Sequence, residues 1–227
     1  MTSLEMLNPQ DHRHLRLRAA GDDGPHFVQI ITSEFVAAAA SCPILFTKEP
    51  ATGRFYAGAM LSLKPGERFL KSAAERGGFS PLNLQRDGFF ISGEGIAIDR
   101  NNLRFSEAEG EPLFDEAQQP SVCLRQIQQV LGQLQAGIEA TNGFIRSLAD
   151  LKLIEPIDIS LSFDSGERLT LEGLYTVSLD ALCEIDDAAA VRLFRSGHLQ
   201  LAYIMAASLR QIAILCQLRN ERLADLS

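Results

Sequence analysis

The chain has 227 residues, 46% of them hydrophobic and 22% charged, with 29 acidic against 21 basic side chains and a formal net charge of −8. That length and balance suit one large folded domain or two packed lobes, and they exclude disorder over most of the chain. The acidic excess disfavours a surface built to neutralise phosphates, so nucleic acid is not an expected partner.

Residues 1–25 contain Asp, Glu, His and several Arg but no apolar core, which reads as a flexible N-terminal arm and not as a secretory signal. A single domain is expected over 26–227, β-rich over 26–110 and helix-rich over 120–227. GDDGP closes the arm, and residues 26–32 read as a short β-branched strand. Ser33 offers an N-cap and Glu34 complements the helix dipole ahead of FVAAAASC, a short helix that Pro43 stops. ILFT and RFYAGAMLSL then pair as a hairpin about KEPATG, with Gly58 marking either a bulge or close packing. KPGERFLKSAAERGG is polar and mixed, and GFFISGEGIAIDRNNLRF supplies two more strands around Gly93-Glu94-Gly95.

Leu124, Ile127, Val130, Leu131, Leu134, Ile138, Ile145 and Leu148 recur at helical spacing and predict a long helix. Gln126, Gln128, Gln129, Gln133 and Gln135 form a solvated face or, alternatively, a polar contact face, while Gly137 and Gly143 weaken the helix and permit close packing. Residues 157–163 and 168–177 form a second hairpin about Asp164-Ser165-Gly166. Ser178 and Asp186-Asp187 cap two short helices, and Gly197 precedes a last helix from Leu199 to about Leu223. The run 199–218 has transmembrane length, but Gln200, Arg210, Gln211 and Gln217 are costly in hydrocarbon, so it reads as a buried helix and not a membrane span. The expected fold is α+β: a mixed or antiparallel sheet of hairpins packed with a long central helix and a C-terminal buried helix.

Familiar catalytic patterns do not occur. No GxSxG elbow is present, Gly93-Glu94-Gly95 lacks the third glycine and following helix of a phosphate loop, and His12 and His14, though spaced so that they could touch a metal, have no HxD or HExxH pattern beside them. His12 and His14 are expected in an exposed tail, His198 in a local polar contact. Asp115-Glu116 and the second acidic pair, Asp186-Asp187, read as solvated caps or dipole partners. Cys42, Cys123, Cys183 and Cys216 form no CxxC pair and sit among apolar neighbours, which fits buried free thiols in a reducing compartment. Neither a metal nor another cofactor is expected. Arg210 is the residue that asks for a partner, because it lies in the least polar helix; Glu34 or Glu155 inside the chain, solvent at the helix edge, or an anionic ligand or partner chain would each answer it.

The order of segments resembles the SapC family from about Phe27 onward. SEFVAAAASCPILFT carries the first element through Glu34, Phe35, Ala37, Pro43, Ile44 and Phe46, and FSPLNLQRDGFF carries the next through Pro81, Arg86 and Phe89. LFDEAQQPSVCL and LIEPIDISLSFDSGERLTLEGLYTV follow in order, and RSGHLQLAYIMAASLRQI matches at Gly197, Leu201, Tyr203, Ser208 and Leu209. Met205 stands where the family pattern has His and Gln211 where it has Asn. The resemblance implies a non-enzymatic accessory or binding protein whose partner is a cupin-type oxygenase or a flavin-dependent halogenase-like enzyme encoded nearby. The alternatives are an enzyme or small-ligand sensor with a dispersed site of Arg210, Tyr203, Glu34 and Arg86, and a surface-layer component. Reduced-type cysteines and the lack of a secretory signal favour the cytoplasm; self-association into a homo-oligomer is also open.

Overall fold

The computed structural model describes residues 4–19, 24–67 and 79–225. Residues 68–78 of the polar, mixed segment lie outside the described residues. The architecture is mixed α+β, with three antiparallel sheets and several helices. Where a single domain was expected after residue 25, the chain divides into two compact units, Met1–Asp22 with Leu82–Ala136 and Asp23–Pro81 with Gly137–Ser227.

In the first unit, β1 (Leu4–Met6), β7 (Gly95–Asp99) and β6 (Phe89–Ser92) form a sheet in the order β1-β7-β6. A smaller sheet pairs β2 (Arg16–Leu17) with β8 (Phe105–Ser106) and β9 (Glu111–Pro112). Residues 4–17, expected as a flexible arm, therefore supply strands to both sheets. Between these strands, Pro9 opens the short helix α1 (Pro9–His12), and the Asn8 side chain caps it by accepting from the Asp11 N–H at 2.9 Å. His12 is correspondingly buried and not exposed as expected, with Nε2 3.6 Å from the Glu5 carboxylate. Leu15 and Leu17 alternate with Arg16 and enter a core with Phe89, Ile98, Leu113 and Phe114. Leu124, Ile127 and Leu131 of α4 (Val122–Asp150) complete that core. A short helix, α3 (Leu82–Gln85), precedes β6, and Arg104 closes its end by donating to the carbonyls of Gln85 and Asp87 at 2.9 and 3.0 Å.

The second unit is built on a five-stranded sheet, β10-β11-β4-β5-β3, in which β3 is Phe27–Gln29, β4 Ile44–Lys48, β5 Phe55–Met60, β10 Ile154–Ser162 and β11 Arg168–Val177. Both expected hairpins are present, and the Tyr175↔Phe46 pairing joins them. Gly58 marks close packing, since the Phe27 ring occupies the space a Cβ would need. Alternation sends successive residues of β4 to opposite faces. Phe46 meets Phe144 of α4 at 6.1 Å between ring centroids, and Phe144 meets Phe35 of α2 (Phe35–Ala39) at 5.7 Å. Leu45 joins a separate cluster with Met60, Phe163, Leu174 and Leu215.

Ser178 and Asp186 cap α5 (Leu179–Cys183) and α6 (Asp187–Arg195) as their spacing requires. The single C-terminal helix expected after Gly197 is instead two, α7 (His198–Ser208) and α8 (Gln211–Asp225), separated by a turn at Leu209 and Arg210. Side chains on both sides of the break are tied elsewhere. Ser208 Oγ accepts from the Ile44 N–H at 2.8 Å and donates to Met205 O at 2.6 Å, while Gln211 donates to Ala39 O and Ala40 O at 3.2 and 3.3 Å. By length and composition the stretch His198–Ala224 is apolar enough to cross a membrane, and only 22% of its most apolar window is buried. Ala202, Met205, Ser208, Leu215 and Arg219 face inward; much of the remainder is half-buried or exposed.

Candidate functional site

The four residues singled out from the sequence divide between the units, with Arg86 in the first and Glu34, Tyr203 and Arg210 in the second. Glu34 is buried in a 3-10 turn (Thr32–Glu34), and its Oε2 accepts from the Ile31 N–H at 2.9 Å, which satisfies one of the orphan donors at the start of the helical segment. Arg86 donates to Asn83 Oδ1 at 2.9 Å and to Phe89 O at 3.1 Å, and its guanidinium lies 5.2 Å from the Phe90 ring centroid. Burial lowers its pKa, with Asp87 opposing the shift. Both residues are thus held by internal contacts.

Tyr203 is 50% exposed on α7, and Arg210 is exposed in the turn that follows. Arg210 meets neither internal acid: one Glu34 oxygen receives the Ile31 N–H, Glu155 is exposed on β10, and no carboxylate pairs with Arg210 among the described residues. Tyr203, Ala207, Arg210 and Ile214 recur at three- and four-residue spacing and are all exposed. On α6, Val191 and Phe194 add two more exposed apolar side chains, Phe194 at 73%.

The buried arginine of the C-terminal helices is Arg219, which sequence reasoning passed over. Its Nε donates to both oxygens of Glu67 at 3.1 and 3.0 Å, and Nη2 donates to Glu167 at 2.9 Å. Lys64 pairs with the other Glu167 oxygen, and the Arg219 guanidinium lies 4.2 Å from the Phe163 ring centroid. Lys64 and then Arg219 hold the Glu167 carboxyl below its ordinary range. Burial acts to lower the Arg219 pKa, but Glu67 and Glu167 outweigh it and the net shift is upward. Periodicity did not mark it, because α7 is apolar around most of its circumference and the inward direction of Met205 is set by packing.

His198 is the local polar contact expected of it. His198 Nδ1 and Ser147 Oγ share a hydrogen bond at 3.0 Å, and the Ser147 hydroxyl also lies 2.9 Å from Gly143 O. Burial shifts its pKa downward. The cysteines are free, but they are not uniformly buried: Cys42 is enclosed and its thiol pushed up to about 12 by burial, whereas Cys183 is exposed. Among the described residues no group of His, Cys, Asp and Glu could hold a metal ion.

The first unit carries a cleft of about 500 Å³ between its three-stranded sheet and α4. Register places Ile91 opposite Ile96 on one sheet face, and Leu7 continues β1 by donating its N–H to Ile96 O at 2.8 Å. From the helix, Leu124, Gln128, Leu131, Gly132 and Gln135 line the opposite wall at the spacing of one stripe. Phe114 and Pro120 add apolar surface, and the Gly93-Glu94-Gly95 turn stands at the rim. At Gly132 an added Cβ would meet nothing within 4 Å, so that glycine widens the space.

These features define a mixed α+β protein of antiparallel hairpins and a long helix, with a concave apolar cleft in one unit and an exposed helical stripe in the other. The chain belongs to the SapC family, which it matches over residues 7–215. No curated protein and no solved structure matches it.

Proposed function

We propose that this protein is a non-enzymatic accessory protein that binds another protein through the exposed stripe of α7 and α8. The partner implied by the family resemblance is a cupin-type oxygenase or a flavin-dependent halogenase-like enzyme encoded nearby, and cytoplasmic location is part of the proposal. One observation carries the reading: Tyr203 and Ala207 of α7, Arg210 in the turn and Ile214 of α8 are all exposed. Tyr and Arg dominate binding energy at protein interfaces because they combine large contact area with a polar handle. A partner carboxylate would give Arg210 the charge-assisted hydrogen bonds it does not make within the described chain.

Affinity purification of the tagged full chain from its native host tests this. A co-purifying enzyme is expected with the unaltered protein, reduced tenfold or more by Tyr203→Ala or Arg210→Glu while the thermal melt is preserved. Recovery of the chain alone as a monomer overturns the proposal, and recovery as a pure homo-oligomer reassigns the stripe to self-association. Cell fractionation checks the location.

A further inference from the structure

The cleft of the first unit combines concavity, apolar walls and two lining amides, and it uses none of the residues assigned to the partner stripe. We propose that it is a binding site for an uncharged, largely apolar small molecule of two or three fused or linked rings that carries one hydrogen-bonding group.

Size is the first argument. A volume of about 500 Å³ falls within the range of sites that enclose small organic ligands. Leu7, Ile91, Ile96, Phe114, Leu124 and Leu131 supply the apolar surface, and Ile91 is 43% exposed, so a ligand would remove apolar area that the folded chain leaves wet.

Charge is the second. Among the described residues Glu94 is the only ionisable one lining the cleft, and it is exposed on the turn at the rim. An anionic ligand would meet no cation among the described lining residues and would lose its hydration uncompensated. A cation would gain little from a solvated carboxylate. Uncharged molecules suffer neither limit.

The polar groups supply the third. Gln128 and Gln135 lie seven residues apart on one helix face, roughly 10 Å along the axis, and each carboxamide offers both donor and acceptor. A molecule of two or three rings can span that interval and bond to one amide while its rings lie against the leucines and isoleucines. Gly132 sits between the two glutamines, where any side chain would fill the space that the rings need.

A matched pair of fluorescent probes separates these arguments. N-phenyl-1-naphthylamine is uncharged, has two linked ring systems and one N–H; 8-anilinonaphthalene-1-sulfonate has the same skeleton with an added sulfonate. Titrated against the full chain, the uncharged probe is expected to bind saturably at one site, at least tenfold more tightly than the sulfonate. Gly132→Leu is expected to weaken it tenfold or more, whereas Gly143→Leu, on the same helix outside the cleft, leaves it within twofold. Gln128→Leu and Gln135→Leu together are expected to cost about fivefold, one neutral hydrogen bond. If Gly132→Leu does not fold, Gln128→Trp at the exposed mouth serves as the blocking variant. Equal or tighter binding of the sulfonate, or uncharged-probe binding that survives the blocking variant, overturns the proposal; neither result bears on the co-purification that tests the partner stripe.

Discussion

Gly132, Gly137 and Gly143 in α4 offer a test in which one substitution should change sign along a single helix. Alanine in a helix interior is favoured over glycine by about 1 kcal/mol, because glycine loses more backbone entropy on folding. At Gly132 and Gly143 an added Cβ meets nothing within 4 Å, so that gain should appear nearly whole, and each Ala variant should be stabilised by about 1 kcal/mol. At Gly137 the new Cβ would lie 3.1 Å from Ile31 Cβ and 3.2 Å from Cγ1. Ile31 cannot yield easily, because it is 5% exposed and its N–H is held by Glu34. The helix cannot easily withdraw either, since Thr141 donates to Gly137 O at 2.8 Å and accepts from the Thr32 N–H at 3.0 Å. Overpacking of about 2 kcal/mol against a propensity gain of about 1 leaves Gly137→Ala destabilised by about 1 kcal/mol. Urea midpoints at constant slope measure all three. If the three variants shift together in direction and size, the close approach of Ile31 to α4 is not what requires glycine at 137.

The remaining predictions concern the buried ion network and the thiols. Arg219→Ala should destabilise the protein by about 2 to 3 kcal/mol, less than a fully buried broken pair costs, because Glu67 and Glu167 keep 23% and 33% exposure and can rehydrate. A loss below about 0.5 kcal/mol would show the network to be solvated. The Glu167 carboxyl is depressed in the folded state, so its contribution is complete above the ordinary carboxylate pKa of about 4.3 and disappears as pH falls through the folded value. Urea midpoints should therefore drop on acidification below about pH 5, and Glu167→Gln should flatten part of that drop; an unchanged profile would exclude Glu167 as a source. A thiol reagent at pH 8 should modify Cys183 in the native protein and leave Cys42 untouched until unfolding, because Cys42 is enclosed and its pKa is pushed up to about 12. Mass spectrometry of the labelled peptides decides this, and early labelling of Cys42 would refute its enclosure.

Local patterning made much of the α+β architecture legible. The alternating runs around KEPATG and Asp164-Ser165-Gly166 correspond to β4–β5 and β10–β11, and the 3.6-residue recurrence from Leu124 to Leu148 corresponds to α4. Caps at Ser178 and Asp186 act through bonds three residues away, which sequence spacing displays directly. Residues 4–17 were harder to read because strands of two and three residues are too short to show a period. Their order depends on partners about a hundred residues onward, in β7, β8 and β9.

The candidate sites depended still more on long-range structure. Gln128 and Gln135 were visible as a polar face, but only the sheet opposite them makes that face one wall of a cleft. The two arginines of the C-terminal helices show the same division. The sequence by itself established that a guanidinium in so apolar a segment needs either water or a carboxylate. It could not say which arginine would receive which, because α7 is apolar around most of its circumference and periodicity does not mark its inward face. Tertiary packing decided it: Met205 and Leu215 face the core, which carries Arg219 inward to Glu67 and Glu167 and leaves Arg210 outward in the turn between helices.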